Sequence, residues 1–374
     1  MRLLIAGDFV PRYRVAELVA QKKYEDVFSE VRPIIGCMDY SIINFESPVI
    51  QGKETPIGKT GPNLFCREEA MEAVKYMGFD CVTLANNHFR DQGDQGVRDT
   101  LAACAKYGVD HVGGGQNLQV ASSVLYKRFP DCTLAIINFC ENEWSIASSE
   151  HGGSAPLHFV KNYYAIQEAK KNADYVIVIV HAGIEEYNLP APWMKESHRY
   201  FIDCGADVVV NHHQHCYSGY ERYHHGLIFY GLGNFCFDYP YYRGNQWNKG
   251  YMVALEIAEN IDFQCIPYIQ CDEEAKVVIN TDRNEFESHI MELNQIIAND
   301  EQLQSVYLAM VKSKSKMLDR FEPYMGHKFL TSLWRKHLLP TMLDAKRSKM
   351  FLNTYRCESY RDILISLLNT KTCE

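Results

Sequence analysis

The sequence predicts a layered α/β domain followed by a helical segment, and three observations carry that reading. Short apolar runs of strand length alternate with helical periodicity over roughly the first 235 residues. The runs are almost continuously apolar, as in strands buried on both faces of a helix-covered sheet. Five of them end in Asp, Glu, Asn or His, where α/β sheets gather ligands beyond the carboxyl ends of their strands.

The elements follow in order. Arg2-Leu-Leu-Ile-Ala6 leads into Gly7-Asp8, and Tyr40-Ser-Ile-Ile43 leads into Asn44-Phe-Glu46. Cys81-Val-Thr-Leu-Ala85 runs into Asn86-Asn-His88, and Tyr175-Val-Ile-Val-Ile-Val180 into His181-Ala-Gly183. Asp207-Val-Val-Val210 runs straight into Asn211-His-His-Gln-His215. Helical periodicity marks 67–77, 95–107 and 192–204, each followed by a glycine suited to a left-handed C-cap. Beyond Tyr251 the runs MVALEIA, FQCIPYIQC and AKVVINT read as further strands. Helices are then expected over 286–298, 301–317, 329–339 and 359–368. The organisation predicted is a body over 1–282 and a helical segment over 283–374.

Bulk properties narrow the function classes. The chain has 374 residues, 47% of them hydrophobic, enough for a large core. Its 13 cysteines are odd in number, scattered and without a C-x-x-C pair, so buried free thiols are expected rather than a disulfide framework. The start, MRLLIAGDFVPRY, lacks the apolar region of a signal peptide, and no run of about 18 apolar residues suits a membrane span. A cytoplasmic location is the expectation. Net charge is −9, divided into −15 over the first 300 residues and +6 over 301–374. An acidic body argues against nucleic acid as a partner, and the basic tail reads as a solvated helix face.

Asp8, Glu46, Asn87, His181, His213 and His215 together offer carboxylate, amide and imidazole donors without a thiolate. Such a set suits one or two divalent cations, with Mn, Fe or Zn preferred. Two cations about 3.5–4 Å apart would activate water and clamp a phosphoryl or acyl centre. His88 would then serve as acid or stabilise the transition state, although a histidine in that position also suits a simple turn cap. His212 reads as a neighbour of the ligands, and Glu185 as a residue behind them or on the surface. His224 and His225 read as exposed. Lys59, in Pro56-Ile-Gly-Lys-Thr-Gly-Pro62, fails the P-loop pattern; it reads as a flexible surface lysine or as a contact for an anionic substrate.

The ordered set Gly7-Asp8, Asn44-Phe-Glu46, Leu84-Ala-Asn-Asn-His88 with Asp91-x-Gly93, His181-x-Gly183, the 205–215 stretch and Tyr230-x-Leu-Gly-Asn-Phe235 resembles the CapA family. Those are bacterial proteins of capsule and poly-γ-glutamate synthesis. The family is similar in turn to calcineurin-like metallophosphoesterases, so the resemblance implies a four-layer αββα sandwich with a two-metal site. It also implies Asp8 as first ligand, Glu46 as bridging acid and Asn87 as ligand. His88 becomes the catalytic histidine, and His181, His213 and His215 the remaining ligands. Asn44, Asp91 and Asn234 fall within the motifs as supporting or substrate residues. The chain departs from the phosphoesterase pattern in four places, one of them Glu46, a glutamate where that pattern has an aspartate. Phe9 and Val10 follow Asp8 where D-x-H is usual, Gln214 replaces a proline, and Ala182 replaces an aromatic residue.

Two functions are therefore expected. One is a metal-dependent hydrolase acting on a phosphoester or amide bond of an anionic or polymer-precursor compound. The other is a non-catalytic, metal-binding component that works with envelope-polymer synthesis proteins.

Overall fold

The computed structural model describes residues 1–372. The chain forms two compact units, Met1–Gln304 and Ser305–Glu374. In the first, the strands in chain order are β1 (Arg2–Val10), β2 (Tyr40–Phe45), β3 (Cys81–Thr83), β4 (Asp110–Val112), β5 (Gly114–Gly115) and β6 (Leu125–Arg128). They continue as β7 (Thr133–Cys140), β8 (Gly153–Ser154), β9 (Tyr175–His181), β10 (Val208–His212) and β11 (Tyr220–Tyr223). The last are β12 (Gly226–Phe229), β13 (Asn234–Phe237), β14 (Lys249–Ile257), β15 (Ile261–Gln270) and β16 (Val277–Ile279).

Two mixed sheets result. The first has the order β16-β15-β14-β1-β2-β3-β4, and the second β11-β12-β10-β9-β7-β6. Within them β1–β2–β3–β4 and β7–β9–β10–β12 pair in parallel, while the outer strands pair antiparallel. Parallel strands point their carboxyl ends the same way, which is why their terminal residues collect at one place. The run Thr133–Cys140, not assigned from the sequence, proves to be an interior strand of the second sheet.

Helices cover the sheets with the faces their periodicity predicts. Val15, Val19, Met71, Val74, Met77, Val97 and Cys104 join Leu4, Ala6, Phe9, Ile43 and Phe45 in one core cluster. On the second sheet, Phe201 of the helix Pro192–Asp203 meets Phe139 with ring centroids 5.2 Å apart. The expected glycine caps are present, with Gly78 at φ 98° and Gly108 at φ 62°. The helix Arg283–Ala298 buries Phe286, Ile290, Leu293 and Ile297 and lies in the first unit.

The second unit is helical, with Lys328–Arg335, Ala345–Arg356 and Glu358–Thr372. The helix Ala345–Arg356 was not expected from the sequence. Its weak apolar periodicity hides it, but Asp344 caps it by accepting a hydrogen bond from the Arg347 N–H at 2.8 Å. Within this unit Glu322 accepts hydrogen bonds from the N–H groups of Met342 and Leu343.

One local feature of the first sheet aims the site. β1 was expected to end at Ala6 but continues to Val10, because the pairing register with β2 slips between Ala6 and Asp8. The slip is a bulge at Gly7, and a bulge re-aims the next side chain. A Cβ at Gly7 would stand 1.9 Å from the Gly233 carbonyl oxygen, so no other residue fits. Gly7→Ala should therefore destabilise the protein by about 3 kcal/mol, read as a shift in the urea or thermal midpoint.

Candidate metal centre

Strand ends from both sheets deliver the predicted residues to one buried cluster. Asp8 leaves the β1 bulge, Glu46 follows β2, Asn87 and His88 follow β3, and His181 closes β9. His212 closes β10 and leads into His213 and His215. All are buried. His213 and His215 have left-handed backbones, with φ 92° and 57°. Such conformations cost about 1–3 kcal/mol each in non-glycine residues and gather at functional sites. Gln214 helps to hold the turn: its amide donates to the carbonyls of Tyr187 and Leu189 at 2.8 and 3.1 Å. A proline in that position has no side-chain donor, so this turn is held by hydrogen bonds instead.

The distances divide the cluster into two triplets. Glu46, His181 and His213 form one, and Asp8, Glu46 and His215 the other, each with ligand atoms within 4.8 Å of one another. Glu46 belongs to both. His181 Nε2 lies 3.5 Å from Glu46 Oε1, 3.2 Å from Asn87 Oδ1 and 3.1 Å from His213 Nδ1. His215 Nδ1 lies 3.5 Å from Asp8 Oδ2, and its Nε2 3.9 Å from Glu46 Oε1. His212, read from the sequence as a neighbour, comes within 3.2 Å of Asp8 Oδ1 through Nδ1.

Supporting residues orient these groups. Asn44 donates to Asp8 Oδ1 at 2.7 Å and is itself turned by Thr83, whose hydroxyl donates to Asn44 Oδ1 at 3.1 Å. Asn234 Oδ1 lies 2.9 Å from His215 Nδ1, while its amide donates to the His215 carbonyl. An amide oxygen only accepts, so this contact puts a proton on Nδ1 and leaves Nε2 facing Glu46.

A divalent cation fits the residues present. Glu46 Oε1 and His212 Nε2 are buried with no hydrogen-bond partner. A buried, unpaired polar atom costs about 1–3 kcal/mol, and an unpaired charge more. The donors are oxygen and imidazole nitrogen, as borderline divalent ions require.

The buried groups also act on one another electrostatically. Burial works to raise the Asp8 carboxyl, but contacts with His212 and His215 outweigh it and hold Asp8 below the usual carboxylate range. Burial and then the nearby Asp8 push Glu46 well above it. Burial lowers His181, and takes His213 down to about 4. His215 goes the other way: burial lowers it, but Glu46 and Asp8 together raise it to about 10. The Glu46–His215 pair thus keeps a proton at neutral pH that a bound cation would have to displace.

Beside the triplets lies a second constellation. His88 Nδ1 sits 2.6 Å from Asp91 Oδ2, and Lys59 forms an ion pair with Asp91 Oδ1. Lys59 is no flexible surface residue: its side chain is only 3% exposed, and Nζ lies 3.3 Å from His88 Nδ1. The Asp91 carboxylate oxygen facing Nδ1 at 2.6 Å assigns the Nδ1 proton and leaves His88 Nε2 for chemistry. Burial lowers the His88 pKa against the pull of Asp91, so the ring is neutral before substrate arrives.

Other residues meet or miss the expectation. Glu185 is exposed but close enough for its charge to act on Glu46 and His213. His224 and His225 are exposed, His224 paired with Asp203. Glu143, which nothing in the sequence marked, lies 3.9 Å from His213 Nε2. Asn138 and Ser154 were also missed, being single polar residues in unremarkable segments. Asn138 Oδ1 accepts from the Ala85 N–H at 2.7 Å and the Ser154 hydroxyl donates to the Asn86 carbonyl at 2.8 Å, clamping the loop that carries Asn87 and His88.

Comparison with known proteins adds a family. The family described as "Bacterial capsule synthesis protein PGA_cap" matches residues 2–239. Capsule biosynthesis protein CapA of Bacillus anthracis is 34% identical over 251 residues, covering 65% of this chain and 61% of that protein. PGA biosynthesis protein CapA of Bacillus subtilis is 35% identical over 240 residues, covering 63% of each chain. The chain thus spans somewhat over three fifths of the length of these relatives. Among solved structures, a phosphatase from Mycoplasma pneumoniae aligns at 15% identity with a TM-score of 0.46, covering 73% of this chain and 95% of that one.

Proposed function

Since the chain belongs to the bacterial capsule synthesis PGA_cap family, we propose that it is a metal-dependent hydrolase on a four-layer αββα scaffold of the metallophosphoesterase type. Its substrate in this reading is a phosphoester or amide bond of an anionic, envelope-related compound. The observation that carries the reading is Glu46, shared by two ligand triplets and buried with an unpartnered oxygen. Asp8, Glu46 and His215 would hold one cation; Glu46, His181 and His213, with Asn87 beside them, would hold a second. Bound there, divalent ions supply an activated water and positive charge for the oxygens of the reacting centre.

The protein's own groups do the rest. Asn44 and Asn234 fix the orientation of Asp8 and His215, so that little reorganisation accompanies the reaction. His88, with Nδ1–H committed to Asp91, presents Nε2 to take up a proton from the attacking water and pass it to the leaving group. Lys59 pairs with Asp91 and brings a positive charge beside His88, where Glu143 and Glu185 are the other nearby charges, favouring an anionic substrate. Lys59→Met should therefore lower kcat/KM for an anionic substrate by about 2 kcal/mol, roughly 30-fold. The metal content of this variant should equal that of wild type, checked by elemental analysis beside the kinetics.

A second reading is a non-catalytic, metal-binding component of a polymer-synthesis complex. It is favoured by Phe9 and Val10, fully buried apolar residues where a D-x-H pattern would add a ligand. Elemental analysis followed by turnover assays with added Mn over phosphoester and γ-glutamyl substrates separates the two. Metal-dependent turnover supports the hydrolase. Bound metal with no turnover, together with a stably co-purifying partner, supports the component, and metal-free protein sinks both.

A further inference from the structure

Beside the cluster lies a cavity of about 210 Å³ whose wall includes His215, Trp247, Tyr242, Glu186, Asn245 and Gln246. It holds room for one ring-sized group; apolar cavities of about 150 Å³ already admit benzene. The aromatic part is a ladder running outward from the proposed metal site. His215 and Trp247 have ring centroids 4.7 Å apart, and Trp247 and Tyr242 stack at 4.5 Å with an interplanar angle of 14°.

The ladder is held rigidly. Trp247 Nε1 donates to the Phe237 carbonyl at 3.0 Å, so the indole's polar edge is satisfied inward. The segment that bears these rings starts at Asp238, which is fully buried and accepts from Arg14 and Arg243 at 2.8 and 3.2 Å. Preorganisation of this kind lowers the entropic cost of binding. The polar groups at the rim are a carboxylate and two carboxamides. Glu186 has a left-handed backbone, φ 63°, and accepts from the Tyr242 hydroxyl. The Gln246 side chain is exposed and has no hydrogen bond among the described residues. Among the described residues no lysine or arginine lines the cavity.

We propose that this cavity is a subsite for a pyranose ring, which makes the substrate of the neighbouring centre a glycosylated phosphoester or amide. A sugar presents C–H groups on one face for an aromatic ring and hydroxyls at its edge for carboxylate and carboxamide groups. The walls offer that pairing. A second phosphate or carboxylate would meet the Glu186 carboxylate with no lysine or arginine in the wall to offset it. The inference rests on the hydrolase reading only for what the ring is attached to.

The test is saturation-transfer NMR on the full-length protein. Methyl pyranosides of glucose, galactose and N-acetylglucosamine serve as probes, with adenosine and uridine as comparators. Because the probes carry no scissile phosphoester, ring binding is measured apart from metal chemistry; failure of the hydrolase reading leaves the result unchanged. Transfer to the ring protons of at least one pyranoside is expected. Tyr242→Ala and Gln246→Ala should each reduce it at least five-fold, with thermal unfolding as a check on folding. No transfer to any pyranoside, unchanged transfer in the folded variants, or transfer to nucleosides in preference to pyranosides overturns the proposal.

Discussion

Glu46→Gln should remove metal from both triplets at once while leaving the metal-free fold intact. Glu46 is the ligand shared between them, and replacing a carboxylate by an amide removes its charge and most of its affinity for a cation. Elemental analysis should find roughly a tenth or less of the wild-type metal, since even residues behind the ligands cost 10–100-fold in affinity. Stability should separate loss of metal from loss of fold. Adding Mn or Zn should raise the thermal midpoint of the wild type, because the ion binds the folded state, and leave that of the variant where it was.

The metal-free proteins should also differ in their response to pH. Burial and Asp8 raise Glu46, so the folded chain holds a proton there that the unfolded chain releases. The stability it contributes is present below the ordinary glutamate pKa of about 4.3 and is lost as pH rises through the folded value. His215, raised to about 10 against its burial by Glu46 and Asp8, acts in the same direction. Its contribution is full below about 6.5 and lost on the way to 10. The metal-free wild type should thus lose stability between pH 7 and 10. Glu46→Gln, without the carboxylate that raises His215, should lose less. An equal slope in both proteins would contradict the pairing of Glu46 with His215.

His88→Asn should do the reverse, keeping metal and removing turnover. His88 is absent from both ligand triplets, and its partners are Asp91 and Lys59. A positioned general acid contributes about 10²–10⁴ in rate, and a loss of that order in kcat is expected at unchanged metal content. Asp91→Asn should have a smaller effect, because the ring remains but its tautomer is no longer set by a carboxylate. Wild-type turnover in the His88 variant would remove the histidine from the mechanism.

The ligand types and their order along the chain were legible because each sits where an apolar run stops. A strand of five or six apolar residues declares its end locally, and parallel pairing then sends those ends to the same edge. Asp8, Glu46, Asn87, His181, His213 and His215 could be named that way. The β1 bulge was not legible, since Gly7 announces a close approach without saying that Gly233 makes it. Nor was the strand Thr133–Cys140, whose end carries no ligand.

Lys59 shows the limit most clearly. Its loop of glycines and prolines reads as exposed, and most of that loop is. Only the tertiary structure brings its ammonium onto Asp91, across 32 positions of chain. Glu143, the Asn138 clamp and the ladder of His215, Trp247 and Tyr242 are of the same kind. By itself the sequence determined the family, the α/β alternation and the chemistry of the donors, because periodicity and strand ends are local properties of the chain. Which candidate donors lie close enough to share a cation, which histidine nitrogens face them, and what lies beside the cluster were decided only in three dimensions. Those depend on register and on loop closure between segments distant along the chain, to which local periodicity is blind.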